Sequence, residues 1–396
     1  MNSSSGMDSR RSTITNKMEQ THANPIRVAY GITVLENGRL SGGIDGIGRY
    51  TQELAASLAQ RPSITLKPFH YAHVADDRSV GRFGAQALWS LASSRPFPIM
   101  QRTLETQVDI VHATDHLVPC LKKIPVVATV MDAIPLAHPE CVTYRFKTIK
   151  NMLWARSVRW ATHIITISDH SRQQIQAFFR IPDDRISVVP LGVDQHWFAR
   201  CELADAARVR QSYRLPERFF LFIGTIQPRK NLARIIRAHQ SLPTLMQRAV
   251  PLLVAGRRGW GCDAELAMLR DADPRQLRWL NYVAEHDLKP LLQQSTALVF
   301  PSLQEGFGLP VLEAFAAGVP VLSSNTTSIP EVAGDAALLV DPQDQHAIAA
   351  GMQELVKHDA LHAHLVKAGR QRAEGFTWER TAAMTENIYK LVDRRR

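Results

Sequence analysis

The apolar positions of this chain form short unbroken runs rather than long ones. In the first half these are IRVAY (Ile26–Tyr30), ITLKPF, VDIVHA, PVVATV, THIITI and RISVVP. Most carry consecutive apolar residues rather than a strict alternation with polar ones. That pattern predicts strands covered on both faces. Between them the period changes. In RYTQELAASLAQ, Tyr50, Leu54 and Leu58 recur at helical spacing and predict an amphipathic helix. The second half alternates more regularly. RFFLFIG, PLLVAG, LRWLNYV, TALVF, VPVLSS and AALLVD read as strands. NLARIIRAHQSL, DAELAMLRDA, DLKPLLQQS and LPVLEAFAAG read as the helices between them.

Buried strands alternating with helices predict an α/β chain built on parallel sheets. At 396 residues the chain is too long for one average core. Two doubly wound, Rossmann-like domains are therefore expected. The join falls near PLGVDQHWFAR, giving an N-terminal domain over 26–197 and a C-terminal domain over 198–376. The last helical pattern, TWERTAAMTENIYKLV, fits either half, and Gly81–Thr106 shows no dominant period. Residues 1–25 are polar, without an apolar centre. They predict a disordered lead and no secretory signal.

Composition narrows the classes. No apolar stretch is long enough to span a bilayer. The four cysteines lie apart without a C-x-x-C pair, so neither a disulfide framework nor a zinc site is expected, and a reducing cytoplasm fits. A net charge of +10 admits nucleic acid, anionic membrane or phosphorylated ligands. No nucleic-acid-binding signature is present, which removes the first. Thr143–His163 reads as a helix mixing Arg145, Lys147, Lys150, Arg156 and Arg159 with Tyr144, Phe146, Leu153, Trp154 and Trp160. It suits an anionic membrane interface, with a core role for the aromatics as the competing reading.

In open parallel sheets ligands bind beyond the carboxyl ends of the strands, so the loops there are the places to look. GTIQPRKN (Gly224–Asn231) puts Arg229 and Lys230 just before a helix that Asn231 is expected to cap. Two cations beside free backbone N–H groups suit a diphosphate. LQEGFGLP (Leu303–Pro310) follows another strand, with Gly306 and Gly308 allowing close backbone approach and Pro310 opening a helix. Glu305 and Glu313 bracket that helix start, with seven residues between them. Carboxylates accept hydrogen bonds from hydroxyls, so the pair suits a ligand with hydroxyls at both ends and phosphate between. SGGIDGIGRY (Ser41–Tyr50) has glycines at 42, 43, 46 and 48 and misses the dinucleotide fingerprint. Asp132 and His112 end strands, and Ser168 reads as a helix N-cap with Arg172 in the first turn.

Taken together, GIDGIGRYTQEL, ITISDHSRQQI, ISVVPLGVD, GTIQPRKNLARII, VAGRRGWG and the block ALVFPSLQEGFGLPVLEAFAAGVPVLSSNTTSIPEVAGDAALLVDP resemble the retaining glycosyltransferases of the GT-B fold. The group is the large family of bacterial mannosyltransferases and sucrose synthase. The resemblance implies that Glu305 holds donor-sugar hydroxyls and Glu313 the nucleotide ribose. It implies that Lys230 neutralises the departing diphosphate, helped by N–H groups around Phe307–Leu309, with Gly46 and Gly48 beneath it from the other domain. Asp132 joins the catalytic set, and the final helix, 377–396, crosses back to the first domain. No metal or cofactor is implied. The donor is a nucleoside diphosphate sugar, a GDP-sugar favoured, and the acceptor a lipid-linked saccharide met at the membrane surface.

Two residues depart from the family pattern. Thr225 stands where many members carry arginine, and Arg229 is its expected substitute. Met131 stands where many carry histidine facing the sugar's 6-hydroxyl, and a thioether offers almost no hydrogen bond there. An apolar 6-position, as in a rhamnose-type 6-deoxyhexose, is then expected to compete with mannose. A nucleotide-sugar epimerase of the same fold and a silent sugar-nucleotide-binding subunit stay open as alternatives.

Overall fold

The computed structural model describes residues 24–35, 46–71, 83–114, 116–142 and 145–393. The proposed lead up to residue 23, the glycines at 42 and 43, and Tyr144 lie outside these. Twelve strands are found among the described residues, six in each of two sheets. The first sheet holds β1 (Ile26–Gly31), β2 (Ile64–Phe69), β3 (Ile110–Ala113), β4 (Val126–Thr129), β5 (His163–Thr166) and β6 (Ile186–Val188). The second holds β7 (Phe220–Ile223), β8 (Leu252–Ala255), β9 (Leu277–Asn281), β10 (Ala297–Phe300), β11 (Val321–Ser324) and β12 (Leu338–Val340). All pairings are parallel, for example Val28 beside Ile110 and Leu298 beside Leu221. β3, β4, β5, β8, β10 and β11 are buried at every residue. That is why they read as continuous apolar runs.

The strand orders are β2-β1-β3-β4-β5-β6 and β12-β11-β10-β7-β8-β9. The chain therefore reverses direction across the sheet between β1 and β3, and again between β7 and β10. A doubly wound sheet opens its binding crevice at such a point. The helices that matter below are α1 (Gly46–Ala59), α2 (Lys147–Val158), α3 (Asp169–Phe179), α4 (Leu232–Gln240), α5 (Leu309–Ala316) and α6 (Trp378–Asp393).

α6 packs against α1 and β5 of the first half. Two core bonds fix it there. Thr381 donates to the Pro190 carbonyl at 2.8 Å, and Tyr389 meets Nδ1 of the fully buried His112 at 2.6 Å. The outgoing and returning crossovers are joined where Val193 N–H donates to the Phe376 carbonyl.

The structure corrects some expectations and decides others that were open. The basic segment is helical only over Lys147–Val158, and His163 already belongs to β5. Trp154 is core, stacked edge-on against Phe179. Gly81–Thr106 contains two helices, Gly84–Ser93 and Pro98–Gln107. Two further helices, Gln345–Lys357 and Asp359–Ala373, were not anticipated. His112 is a core residue, not a cleft residue. Its ring bridges Tyr389 and Thr129, and burial pulls its pKa down to about 3.

Candidate active site

The loops after β7 and β10 flank the reversal point of the second sheet, and they carry the chemistry. A cleft of about 770 Å3 lies between the halves. Gly46, Asp132, Thr225, Arg229, Lys230, Glu305, Gly306, Phe307, Gly308, Leu309 and Glu313 all line it. Gly48 does not. It is buried inside the first turn of α1, while Gly46, Ile47 and Arg49 form the wall.

Lys230 and Glu305 form the centre. Lys230 Nζ lies 2.5 Å from Glu305 Oε1, and Arg229 lies 3.1 Å from Oε2. The Lys230 ammonium also sits 4.6 Å from the centre of the Phe300 ring. Burial pushes the Lys230 pKa down to about 8, against an opposing pull from Glu305. Burial works to raise Glu305, but Lys230 and Arg229 outweigh it and hold the carboxyl below its usual range. A buried pair of this kind carries a large desolvation cost. Such a cost is tolerated where function needs the charge.

Arg229 is committed to the loop. Its guanidinium donates to the Gln304 carbonyl at 2.9 Å as well as to Glu305. It braces Glu305 and also lines the cleft, as does the exposed Thr225. Asn231 holds the cap position of α4 with φ 63° but makes no side-chain cap. Its amide instead donates to the carbonyls of Pro301 and Pro342, tying the β7 loop to the segments that follow β10 and β12.

The turn from Glu305 to α5 is an amide cradle. Gly306, Phe307 and Gly308 are buried. Among the described residues no acceptor meets the N–H groups of Gly306, Phe307, Gly308 or Leu309. Buried amides are nearly always paired, so a row without partners that lines a cleft marks an anion site. Glycine is required twice. Gly308 has φ +107°, and a Cβ on Gly306 would come within 2.9 Å of Asp132 Oδ2. Asp132 accepts from Ile134 N–H at 3.0 Å, and burial raises its pKa.

Glu313 lies further along α5. Burial raises its pKa, opposed by Arg49, whose Nη1 is 3.6 Å from Glu313 and 3.6 Å from Glu285. Arg49 comes from α1, so this contact crosses the cleft. Sequence reasoning missed it, along with three other features. Trp260 lines the cleft and donates across it to the Cys141 carbonyl at 2.8 Å. Arg257 stacks 4.0 Å over Tyr282 at the cleft rim. Ser168 caps α3 as expected, accepting from Ser171 N–H, but its hydroxyl also reaches the other half.

This constellation has known counterparts. The models for glycosyl transferases group 1 and for glycosyltransferase family 4 match residues 205–372 and 44–197. An O-antigen chain mannosyltransferase B of Escherichia coli is 38% identical over 262 residues, covering 65% of this chain and 67% of that protein. The chain belongs to the family 4, group 1 glycosyltransferases. A serotype-specific mannosyltransferase WbdA of E. coli is 31% identical over 226 residues, though the match spans only 28% of its length. The chain also shares the GT-B fold of sucrose-phosphate synthase from Thermosynechococcus elongatus. That structure has TM-score 0.68 and 16% identity, with 93% of this chain and 99% of that one covered. WaaG, a glycosyltransferase involved in lipopolysaccharide biosynthesis, superposes with TM-score 0.67 at 16% identity, with 92% and 98% covered.

Proposed function

We propose that this glycosyltransferase moves a hexose, with retention of configuration, from a nucleoside diphosphate sugar to a lipid-linked saccharide in cell-surface polysaccharide assembly. The observation that carries the reading is one cleft at the reversal point of the second sheet. It holds a buried Lys230–Glu305 pair, a row of unpartnered amides and Glu313. Cations and amides suit the diphosphate, and the two carboxylates suit hydroxyls on either side of it. In transfer the anomeric C–O bond to the diphosphate breaks and a bond to the acceptor oxygen forms. The acceptor's hydroxyl proton leaves with the diphosphate. Charge grows on that leaving group, where Lys230 and the cradle stand ready without reorganising. Such a mechanism needs no metal or cofactor.

Relatives named as O-antigen mannosyltransferases favour mannose as the sugar, with GDP the carrier expected from the resemblance. Met131 lines the cleft beside Asp132 and favours a donor apolar at the 6-position. Competing turnover of GDP-mannose against GDP- and dTDP-rhamnose, with a mannose-terminated lipid-like acceptor, decides between them. An epimerase would convert the donor without glycosylating the acceptor. A silent subunit would do neither. If no nucleoside diphosphate raises the melting temperature and no donor is consumed, the reading falls.

The acceptor side suits an anionic membrane surface. Phe146, Ile149 and Met152 are more than half exposed beside Arg145, Lys147 and Lys150. The neighbouring helix Gly84–Ser93 adds exposed Leu88 and Trp89. No acidic residue occurs between Glu140 and Asp169. Among the described residues no helix is long and apolar enough to cross a membrane.

A further inference from the structure

We propose that Ser168, supported by Ser171 and Glu331, is a positioning residue. Through the Gly306 carbonyl it turns the Phe307 N–H into the cleft as a donor to the diphosphate. The proposal rests on the donor reading above and adds to it a dependence of the anion cradle on the opposite half of the molecule.

Ser168 Oγ lies 2.8 Å from the Gly306 carbonyl oxygen, and both groups are buried. A serine hydroxyl has one proton. Ser171 N–H donates to Ser168 Oγ at 3.1 Å, and the two hydroxyl oxygens lie 3.0 Å apart, so Ser171 Oγ–H can donate to Ser168 Oγ while the Ser168 proton goes to the closer Gly306 carbonyl. Ser171 Oγ backs the contact at 3.3 Å from the same carbonyl. In a trans peptide the C=O and the following N–H point to opposite sides. Holding the Gly306 oxygen toward α3 therefore directs the Phe307 N–H away from α3.

The surroundings on each side agree. Ser168 lines a cavity of about 320 Å3 beside Glu331 and Phe376, which adjoins the main cleft at Ile167, Leu191 and Phe307. Gly306 through Leu309 line the main cleft. The two flanking carbonyls, of Glu305 and Phe307, are held within their own half by Ser328 at 3.0 and 3.2 Å. Only the middle one is held across the interface.

That interface has its own lock. The Glu331 carboxylate accepts from the N–H groups of Asp169 and His170, each at 2.7 Å, at the start of α3. An anion there also meets the positive end of the helix. Separation of the halves would break these bonds and the Ser168 bond together, leaving the Gly306–Phe307 peptide free to turn. The cradle is thus complete only while the halves are engaged.

The test is calorimetric, on the full chain. Affinities are measured for GDP, UDP, ADP and dTDP and for each matching nucleoside, and the ratio of diphosphate to nucleoside affinity is taken for the tightest pair. In Ser168→Ala the ratio should fall about tenfold, the order expected for a hydrogen bond to a charged group. Nucleoside affinity should be unchanged. Ser168→Thr, which keeps the hydroxyl, should restore the ratio. Ser171→Ala and Glu331→Gln should each give a smaller fall, and they stand in if Ser168→Ala does not fold. A Ser168→Ala protein that keeps the wild-type ratio, or that loses nucleoside and diphosphate affinity equally, overturns the positioning role. A wild-type protein showing no preference for any diphosphate over its nucleoside would instead overturn the donor reading itself.

Discussion

The two halves share one architecture and divide the chemistry unequally. Each is a six-stranded parallel sheet with its reversal point facing the same cleft. In the second half that point is crowded with paired charge: Lys230 and Arg229 each within 3.1 Å of Glu305, and Glu313 beyond. The first half presents Arg49, Asp132 and Met131 to the cleft and turns its exposed apolar and basic residues outward. The scaffold therefore does not decide function. What differs is which residues follow each strand. The second half concentrates buried charge at the cleft, whereas the first half contributes little paired charge there and carries exposed apolar and basic residues on its outer face.

The largest effect expected from breaking this division is on Lys230. Lys230→Ala removes a cation aimed at the leaving diphosphate and leaves Glu305 buried with Arg229 alone. Loss of one such donor typically costs ~2.7–4 kcal/mol, so steady-state turnover should drop about 100- to 1,000-fold. Donor hydrolysis should fall in parallel. A fall under tenfold would place the leaving-group contact elsewhere. Glu313→Ala comes next. Hydrogen bonds to a charged group are worth about 1.5–3 kcal/mol, so nucleoside affinity should weaken about tenfold or more while pyrophosphate affinity stays. Equal weakening of both would remove Glu313 from the ribose.

Most of this was legible from sequence, for a physical reason. Strands covered by helices on both faces are rich in apolar residues, so all twelve strands announced themselves as short runs, including the six that are buried at every residue. The loops after them then pointed to Lys230, Glu305 and Glu313 as candidates, and the three line one cleft. What stayed hidden was contact between distant segments. Ser168 and Gly306 are 138 positions apart, and Arg49 meets Glu313 only because the halves face each other. Local pattern correctly called Ser168 a cap and had no access to its second bond. Arg229 shows the same limit. Its place in a cationic turn suggested a ligand contact, and it does line the cleft, but its bonds to the Gln304 carbonyl and Glu305 could not be read from the turn alone. Trp154 and Phe146 looked alike in the basic segment, and only packing separates the core ring from the exposed one.

The pH response sharpens the comparison further, because activity and stability should move in opposite directions. Lys230 has its pKa at about 8 in the folded chain, against an ordinary 10.5. The protonated form is the one that serves the diphosphate. The profile of kcat/KM, which reports the free enzyme, should fall about tenfold per unit above pH 8. In the donor complex the diphosphate favours the ammonium, so the kcat profile should fall at higher pH. For stability the sign reverses. Between about pH 8 and 10.5 the unfolded chain binds more protons at this site, so this group alone makes stability rise with pH across that window. Lys230→Met should remove that rise, measured by denaturant unfolding. An activity limb that stays near pH 8 in Lys230→Arg would assign the titration to another group.

The smallest effect belongs to the outward face of the first half. Juxtamembrane cations contribute about 1 kcal/mol each near an anionic surface, roughly fivefold in binding. Lys147→Gln and Lys150→Gln should each lower cosedimentation with phosphatidylglycerol-containing vesicles by about that factor at low salt. The effect should shrink as added salt screens the charges. Phe146→Ser and Met152→Ser should weaken binding in a way that salt does not relieve, since both side chains already face solvent and leave no core cavity behind. None of the four should alter turnover of a water-soluble acceptor, because none lines the cleft. If the vesicles are ignored by the wild-type chain at low salt, this face is a solubility surface, and the two halves differ in their cleft chemistry alone.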